Sequence, residues 1–321
     1  VRAALSLFSK VRKVMRMTAR LFFMQYPLPA LSPADLIERW CSQGLYIPDK
    51  SLALRQVKTV GYHRLNRYAR FLRDQQGNFR PGLTYDDLWT IYVFDRRLRL
   101  VSLDAIERIE IAVRTVMSDL LCLRHGPHWF MNVKLFKNTS YATTFQNIIA
   151  DEIRKNRPHY QSYEVASYYK NYTAPPLPPS WIVMEHLSMG EWCKAIPMLD
   201  RFEQKTIGLE FGLPANLMTS WISSLALLRN VCAHHGMIWH RKNTRRPELQ
   251  KNPPRFCPDF SADSGNYYAS ACIIQYFLKY IAPSSSWSSR LKELFDDFPL
   301  TFAQDLGFPL HWEQNTFWEI R

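Results

Sequence analysis

Apolar residues recur every three or four positions through most of the chain, the period of helices packed along one face. The longest run, from about Thr84 to Leu123, puts Ile91, Phe94, Leu98, Val101, Ala105, Ile109, Ala112, Val116 and Leu120 on one stripe and predicts a long core helix. Its polar side carries Asp104 with Arg108 and Glu110 with Arg114 at i,i+4, pairs expected on a solvated or partner-facing surface. Asp95, Arg96, Arg97 and Arg99 read as salt-bridge members and surface charges rather than reacting groups.

Shorter helices flank this one. Ser32 as N-cap and Pro33 at the first helical position open a helix with Leu36, Ile37 and Trp40 behind them. A loop follows around Gly44 and Pro48. Residues 51–72 read as two short helices broken near Gly61, and Gln76-Gly77-Asn78 predicts a small hairpin or loop. Gly126-Pro127 ends the long helix, and a helix over about 140–156 precedes a tyrosine-rich stretch at 160–172 and the run Pro175 to Pro179. That run is the clearest linker composition in the chain, read as a stiff connector within one assembly. Helices at about 180–190, 192–199, 201–211 and 215–235 come next, and others near 267–281 and 286–295 close the chain. Leu217, Trp221, Leu225, Leu228 and Cys232 form one stripe, which makes Cys232 a packing residue.

The predicted class is all-α. Only 11 glycines in 321 residues argue against a turn-rich β architecture, and 47% hydrophobic content excludes disorder as the overall state. The predicted organisation is a basic N-terminal extension, 1–30, an N-terminal helical region, 31–82, and a helical domain, 83–321. With 41 basic and 28 acidic residues the formal charge is +13, which calls for an anionic partner. Nucleic acid fits better than a membrane, since no stretch approaches about 18 uninterrupted apolar residues. The six cysteines contain no C-x-x-C pair, so neither a disulfide framework nor a zinc ribbon is suggested, and a reducing cytoplasm is the expected setting. Residues 1–34 lack acids and include Arg2, Lys10, Arg12, Lys13, Arg16 and Arg20, a composition shared with organellar presequences. The favoured reading is a loosely folded extension or a bacterial reading frame opened from an alternative start. The Leu21-Phe22-Phe23-Met24 cluster is too short for a secretory core.

The chemistry gathers in Leu228-Arg229-Asn230-Val231-Cys232-Ala233-His234-His235. An imidazole with a pKa near ~6.5 can take the proton of a ribose 2′-hydroxyl, while an arginine stabilises the charge developing on the attacked phosphate. Asn230, four residues before His234, could orient its ring. Arg229 and His234, five apart, point about 140° away from each other on a straight helix. Either Gly236 distorts the helix end or a two-fold dimer brings two motif copies together, and the dimer is preferred. After His240 come Arg241, Lys242, Arg245 and Arg246, candidates for tracking phosphates. Arg64 and Arg67, interleaved with Tyr62, His63, Tyr68 and Phe71, are further RNA-binding candidates. No phosphate loop, dinucleotide fingerprint or H-E-x-x-H is present, so no cofactor is expected. A metal site from Cys232, His234, His235 and His240 is disfavoured, because adjacent helical histidines diverge and no carboxylate lies nearby in sequence.

Arg229, Asn230 and His234 resemble the R-x4-6-H motif of HEPN ribonucleases, and LRNVCAHHGMIWHR at 228–241 resembles Abi-like (AbiD/AbiF) abortive-infection proteins. Their order of motifs is also found in VGYHRLNRYARFL at 60–72, FDRRLRLVSLDAIERIEIAVR at 94–114, LPPSWIVMEHLSMG at 177–190 and the tail through Gly307-Phe308-Pro309 and Trp312. The resemblance spans about residues 27–318. Met237 and His240 stand where that family tends to carry arginine and asparagine. The resemblance implies a HEPN-type helical bundle and a metal-independent endoribonuclease, acting as an anti-phage toxin at a composite homodimer site. His234 would be general base or acid, Arg229 the phosphate stabiliser, Asn230 the positioning group and His235 a second candidate base. It also implies a bound structured noncoding RNA. The competing reading is an RNA-binding scaffold without turnover.

Overall fold

Ser32 caps the first helix through a reciprocal pair. Its hydroxyl accepts the Asp35 N–H at 3.2 Å, and the Asp35 carboxylate accepts the Ser32 N–H at 3.2 Å. The computed structural model describes residues 29–155, 162–251, 255–299 and 301–319; the basic extension expected over 1–30 lies outside them except for its last two residues. The chain divides into two compact units, Val1–Ile91 and Tyr92–Arg321.

In the first unit, α1 (Pro33–Ser42), α2 (Lys50–Val60) and α3 (Tyr62–Ala69) pack in sequence, a 3₁₀ turn at Arg70–Leu72 extending α3. Gly61 breaks α2 from α3 at φ +92°, backbone that a side chain would strain. Trp40 stacks on Tyr62 with centroids 4.6 Å apart, and its indole N–H donates to the Asn66 side chain at 3.2 Å. Asn66 also accepts from Arg73 at 3.0 Å, and Gln43 accepts from the same guanidinium at 2.9 Å. The turn at 74–78 is held by the Asp74 carboxylate, which accepts the N–H groups of Gln76 and Asn78 at 2.9 Å each. One isolated antiparallel bridge, Arg73 to Phe79, is all that forms of a hairpin. The described residues contain no strand, and the class is all-α as the periodicity predicts.

The long helix forms as α4 (Tyr85–His125), and the boundary between the units falls within it. Its buried face departs from the predicted stripe. Ile91, Phe94, Leu98, Ala105 and Ile109 are buried as expected, but Val113, Met117 and Leu121 are fully buried where Ala112, Val116 and Leu120 are half-exposed. Steps of four outrun the helical period, so the buried face winds around α4 by about 120° between Ile91 and Leu121. Different neighbours therefore cover successive turns.

The helices described after α4 are α5 (Thr139–Lys155), α6 (Tyr163–Asn171), α7 (Ser180–His186), α8 (Met189–Trp192), α9 (Ala195–Met198), α10 (Arg201–Leu209), α11 (Ala215–Ala233), α12 (Tyr267–Ile281), α13 (Trp287–Asp296) and α14 (Thr301–Asp305). Near its start α4 meets α13 and α14, with Phe94 set against Phe295, Phe298 and Phe302. Mid-helix, the Trp287 indole donates to the Val101 carbonyl at 2.9 Å, and Arg290 and Arg108 both pair with Asp104. At its end Arg124 and His125 pair with buried Glu203 of α10 at 3.1 and 3.0 Å. The predicted Glu110–Arg114 pair does not form: Arg114 reaches Glu185 of α7 at 2.7 Å, and Glu110 faces α11. No described helix is long and apolar enough to cross a membrane.

The proline run lies within the second unit, where the hydroxyls of Tyr168 and Tyr169 donate to the carbonyls of Pro175 and Pro176 at 2.7 and 3.2 Å. Helix α11 packs against α8, α10 and α12. The corner between α10 and α11 is tight, because a methyl group at Gly208 would lie 2.5 Å from the Leu213 carbonyl oxygen. Gly208→Ala is expected to destabilise the fold by about 1–3 kcal/mol, read from the midpoint of urea unfolding.

Candidate active site at the end of helix α11

Helix α11 carries the arginine-histidine motif on its last turn. Leu217, Trp221, Leu225, Leu228 and Cys232 are all buried, so the helix is anchored as the stripe predicts. Burial pushes the Cys232 thiol up to about 12, which leaves it an inert packing group.

The helix ends differently from the expectation placed on Gly236. Ala233 is the last helical residue and His234 the C-cap. His235 then takes the left-handed conformation at φ +55°. Its N–H donates to the Cys232 carbonyl at 3.0 Å, and the Gly236 N–H donates to the Val231 carbonyl at 2.7 Å. These are the two bonds of a Schellman ending, with histidine at the position where glycine is commonest. Histidine tolerates this region better than most side chains. Both imidazoles are exposed.

A buried ion pair fixes the chain beyond the cap. Asp95 and Arg99, one turn apart on α4, are 0% and 5% exposed and bonded to each other. Asp95 Oδ1 accepts the N–H groups of Ile238 and Trp239 at 2.9 and 2.7 Å, while Arg99 donates to the Gly236 carbonyl at 3.1 Å. Backbone that a buried loop would leave unpaired is thus satisfied by charged side chains, and the charges are satisfied by backbone. The sequence reading of these two as salt-bridge members holds; their placement at the surface does not. Asp95 and Arg99 follow the stripe residues Phe94 and Leu98 by one position each, and that proximity to the apolar face was the available signal.

The motif side chains face three ways. Arg229 leans on α4, its Nε 3.3 Å from Glu110 Oε2, and lines an open pocket of about 380 Å³ with Leu100, Leu103, Glu107 and Ala233. Asn230 lies over α8, its Nδ2 placed 3.7 Å from where a methyl group on Gly190 would be. The side chains of Asn230 and His234 share no hydrogen bond; their link is the His234 N–H to the Asn230 carbonyl at 3.0 Å. Glu110, the carboxylate that orients Arg229, was assigned to another partner by the i,i+4 rule.

Arg241, Lys242, Arg245 and Arg246 are all exposed. Their loop is tied down by Asn243, whose amide donates to Ser224 of α11 at 2.8 Å and whose N–H donates to the Gly265 carbonyl at 2.7 Å. Lys242 bonds Asp263 at 2.5 Å and, with the Gly265 N–H and nearby Arg246, holds that carboxyl below its usual range. Met237 is half-buried; His240, at φ +55°, is exposed, with Nε2 3.7 Å from Asp305. Arg64 and Arg67 belong to the other unit, on α3, Arg67 exposed and Arg64 half-buried. Tyr62 and Tyr68 of the same helix face its core. Among the described residues no three His, Cys, Asp or Glu side chains gather to hold a metal ion.

The family model of Abi-like proteins matches residues 55–240, more than half of the chain. The chain belongs to the Abi-like family. No curated protein and no solved structure matches it. The Abi-like match begins within α2, takes in α3 to α11, the Asp95–Arg99 pair and the motif, and stops at His240, where the basic loop begins.

Two substitutions separate scaffold from chemistry. Asp95→Ala leaves a buried guanidinium without its carboxylate and frees two backbone N–H groups, so a loss of about 3–5 kcal/mol is expected in urea unfolding. His235→Gly removes a left-handed side chain and is expected to stabilise by about 1 kcal/mol, seen as a rise in Tm.

Proposed function

We propose that this Abi-like protein is a metal-independent endoribonuclease of the HEPN type, which cuts RNA in abortive infection at a site shared by two protomers. The observation that carries the reading is the ending of α11: two exposed imidazoles on a helix whose core face is otherwise buried, one turn beyond an arginine that opens onto a pocket. A catalytic constellation needs that combination of anchored backbone and accessible side chains.

In this reading His234 takes the proton from the ribose 2′-hydroxyl or supplies one to the leaving oxygen. The 2′-oxygen forms a bond to phosphorus as the bond to the 5′-oxygen breaks, giving a 2′,3′-cyclic phosphate and a 5′-hydroxyl. Arg229, steadied at Nε by Glu110, presents its remaining N–H groups to the phosphate charge. Asn230 positions the strand, and His235 is the second candidate base. The divergence of Arg229 toward α4 from the exposed imidazoles is the reason for invoking a homodimer, in which arginine and histidine from different copies meet around one phosphodiester. Arg241, Lys242, Arg245 and Arg246 follow the site in sequence and suit the RNA backbone, whether of the substrate or of a bound structured RNA. The setting assigned to it is the cytoplasm. DNA lacks the attacking hydroxyl and is not a substrate.

The test compares RNA and DNA of one sequence in excess chelator. RNA is expected to yield 2′,3′-cyclic phosphate ends while DNA stays intact, and Arg229→Ala and His234→Ala each slow cleavage by about 10²–10⁴-fold. Mixed dimers of the two variants recover part of the activity if the site is shared. RNA binding without cleavage by the unaltered protein would instead establish the scaffold reading, and dependence on a metal would overturn the mechanism.

A further inference from the structure

A second pocket, of about 560 Å³, opens in the same unit away from the motif. Its walls are aromatic: Tyr163 and Tyr168 on α6, Tyr172 just beyond that helix, and Trp181 on α7. Tyr163, Tyr172 and Trp181 keep 82%, 58% and 55% of their surface exposed, an unusual concentration of large rings around one concavity. The Tyr168 hydroxyl spends its proton on the Pro175 carbonyl at 2.7 Å, which fixes that ring in place.

The ionised group among the described walls is a carboxylate. Glu164 is held below the usual carboxylate range by its own N–H and the Ser162 hydroxyl, so it is ionised at neutral pH. Burial lowers the pKa of His128, against the smaller opposing pull of the Leu177 carbonyl. Its Nε2 is buried without a hydrogen-bond partner. Among the described residues no lysine or arginine lines the pocket, in a chain with 41 basic residues against 28 acidic. The local charge is the reverse of the molecule's, which disfavours a phosphate-bearing ligand.

We infer that this pocket binds an organic cation, a guanidinium or alkylammonium group that stacks on the rings of Trp181 and the tyrosines and donates to Glu164. The inference is independent of the nuclease reading. The same group could arrive as a free small molecule or as an arginine side chain of a peptide. Calorimetric titration with agmatine and with a capped Pro-Arg dipeptide distinguishes these sources. Binding about tenfold tighter for the dipeptide assigns the pocket to a peptide, and the opposite order assigns it to a metabolite. Either way, affinity is expected to fall about tenfold in Glu164→Gln and in Trp181→Ala, both surface substitutions, and about tenfold when a neutral urea replaces the guanidinium. Circular dichroism of both variants checks that the fold persists. Lack of saturation by either probe at millimolar concentration, affinities unchanged in both variants, or tighter binding of adenosine than of both cations would overturn the assignment.

Discussion

The chain just beyond the end of α11 is held by one buried ion pair. Asp95 and Arg99 lie where water cannot reach them, and charges so placed persist only when each lone pair and donor has a partner. The partners are the backbone of residues 236–239, a loop lacking a helical or strand ladder of its own. Each side thus needs the other, and the orientation of the histidine cap follows from a carboxylate about 140 residues earlier in the chain.

Helix α4 is the common surface for these arrangements. Because its buried face winds, its first turns serve the aromatic cluster around Phe94, its middle serves Arg229 through Glu110, and its end serves α10 through Glu203. A straight stripe would have bound one neighbour along its whole length. The drift lets a single helix organise several, and it gives the Abi-like family match a physical centre.

How far the sequence could be read depended on whether the deciding interaction was local. The Ser32 cap, the break at Gly61, the start of α11 and the limits of α12 depend on neighbours within a few residues, and all were legible. The pairing of Glu110 was not, because the i,i+4 rule ranks Arg114 first while the fold sends Arg114 to Glu185 and brings Arg229 alongside. The helix ending was half legible: Gly236 marked the place, but the left-handed residue is His235, stabilised by bonds no spacing rule ranks ahead of glycine. At the candidate site the chemistry-bearing residues were visible as types in order, whereas their directions were set by α4 and α8. The aromatic pocket escaped notice because its walls look, in sequence, like a tyrosine-rich connector.

The distance along the chain between α4 and its partners has a consequence for synthesis. A ribosome delivers Asp95 and Arg99 long before the loop that neutralises them, and Asp104 some 186 residues before Arg290. Until then the nascent chain carries a helix with apolar and charged faces uncovered, a species that holdase chaperones recognise. The histidine cap acquires its fixed orientation only once residues 236–239 have been made and meet Asp95 and Arg99, so a growing polypeptide passes through most of its elongation without an assembled centre.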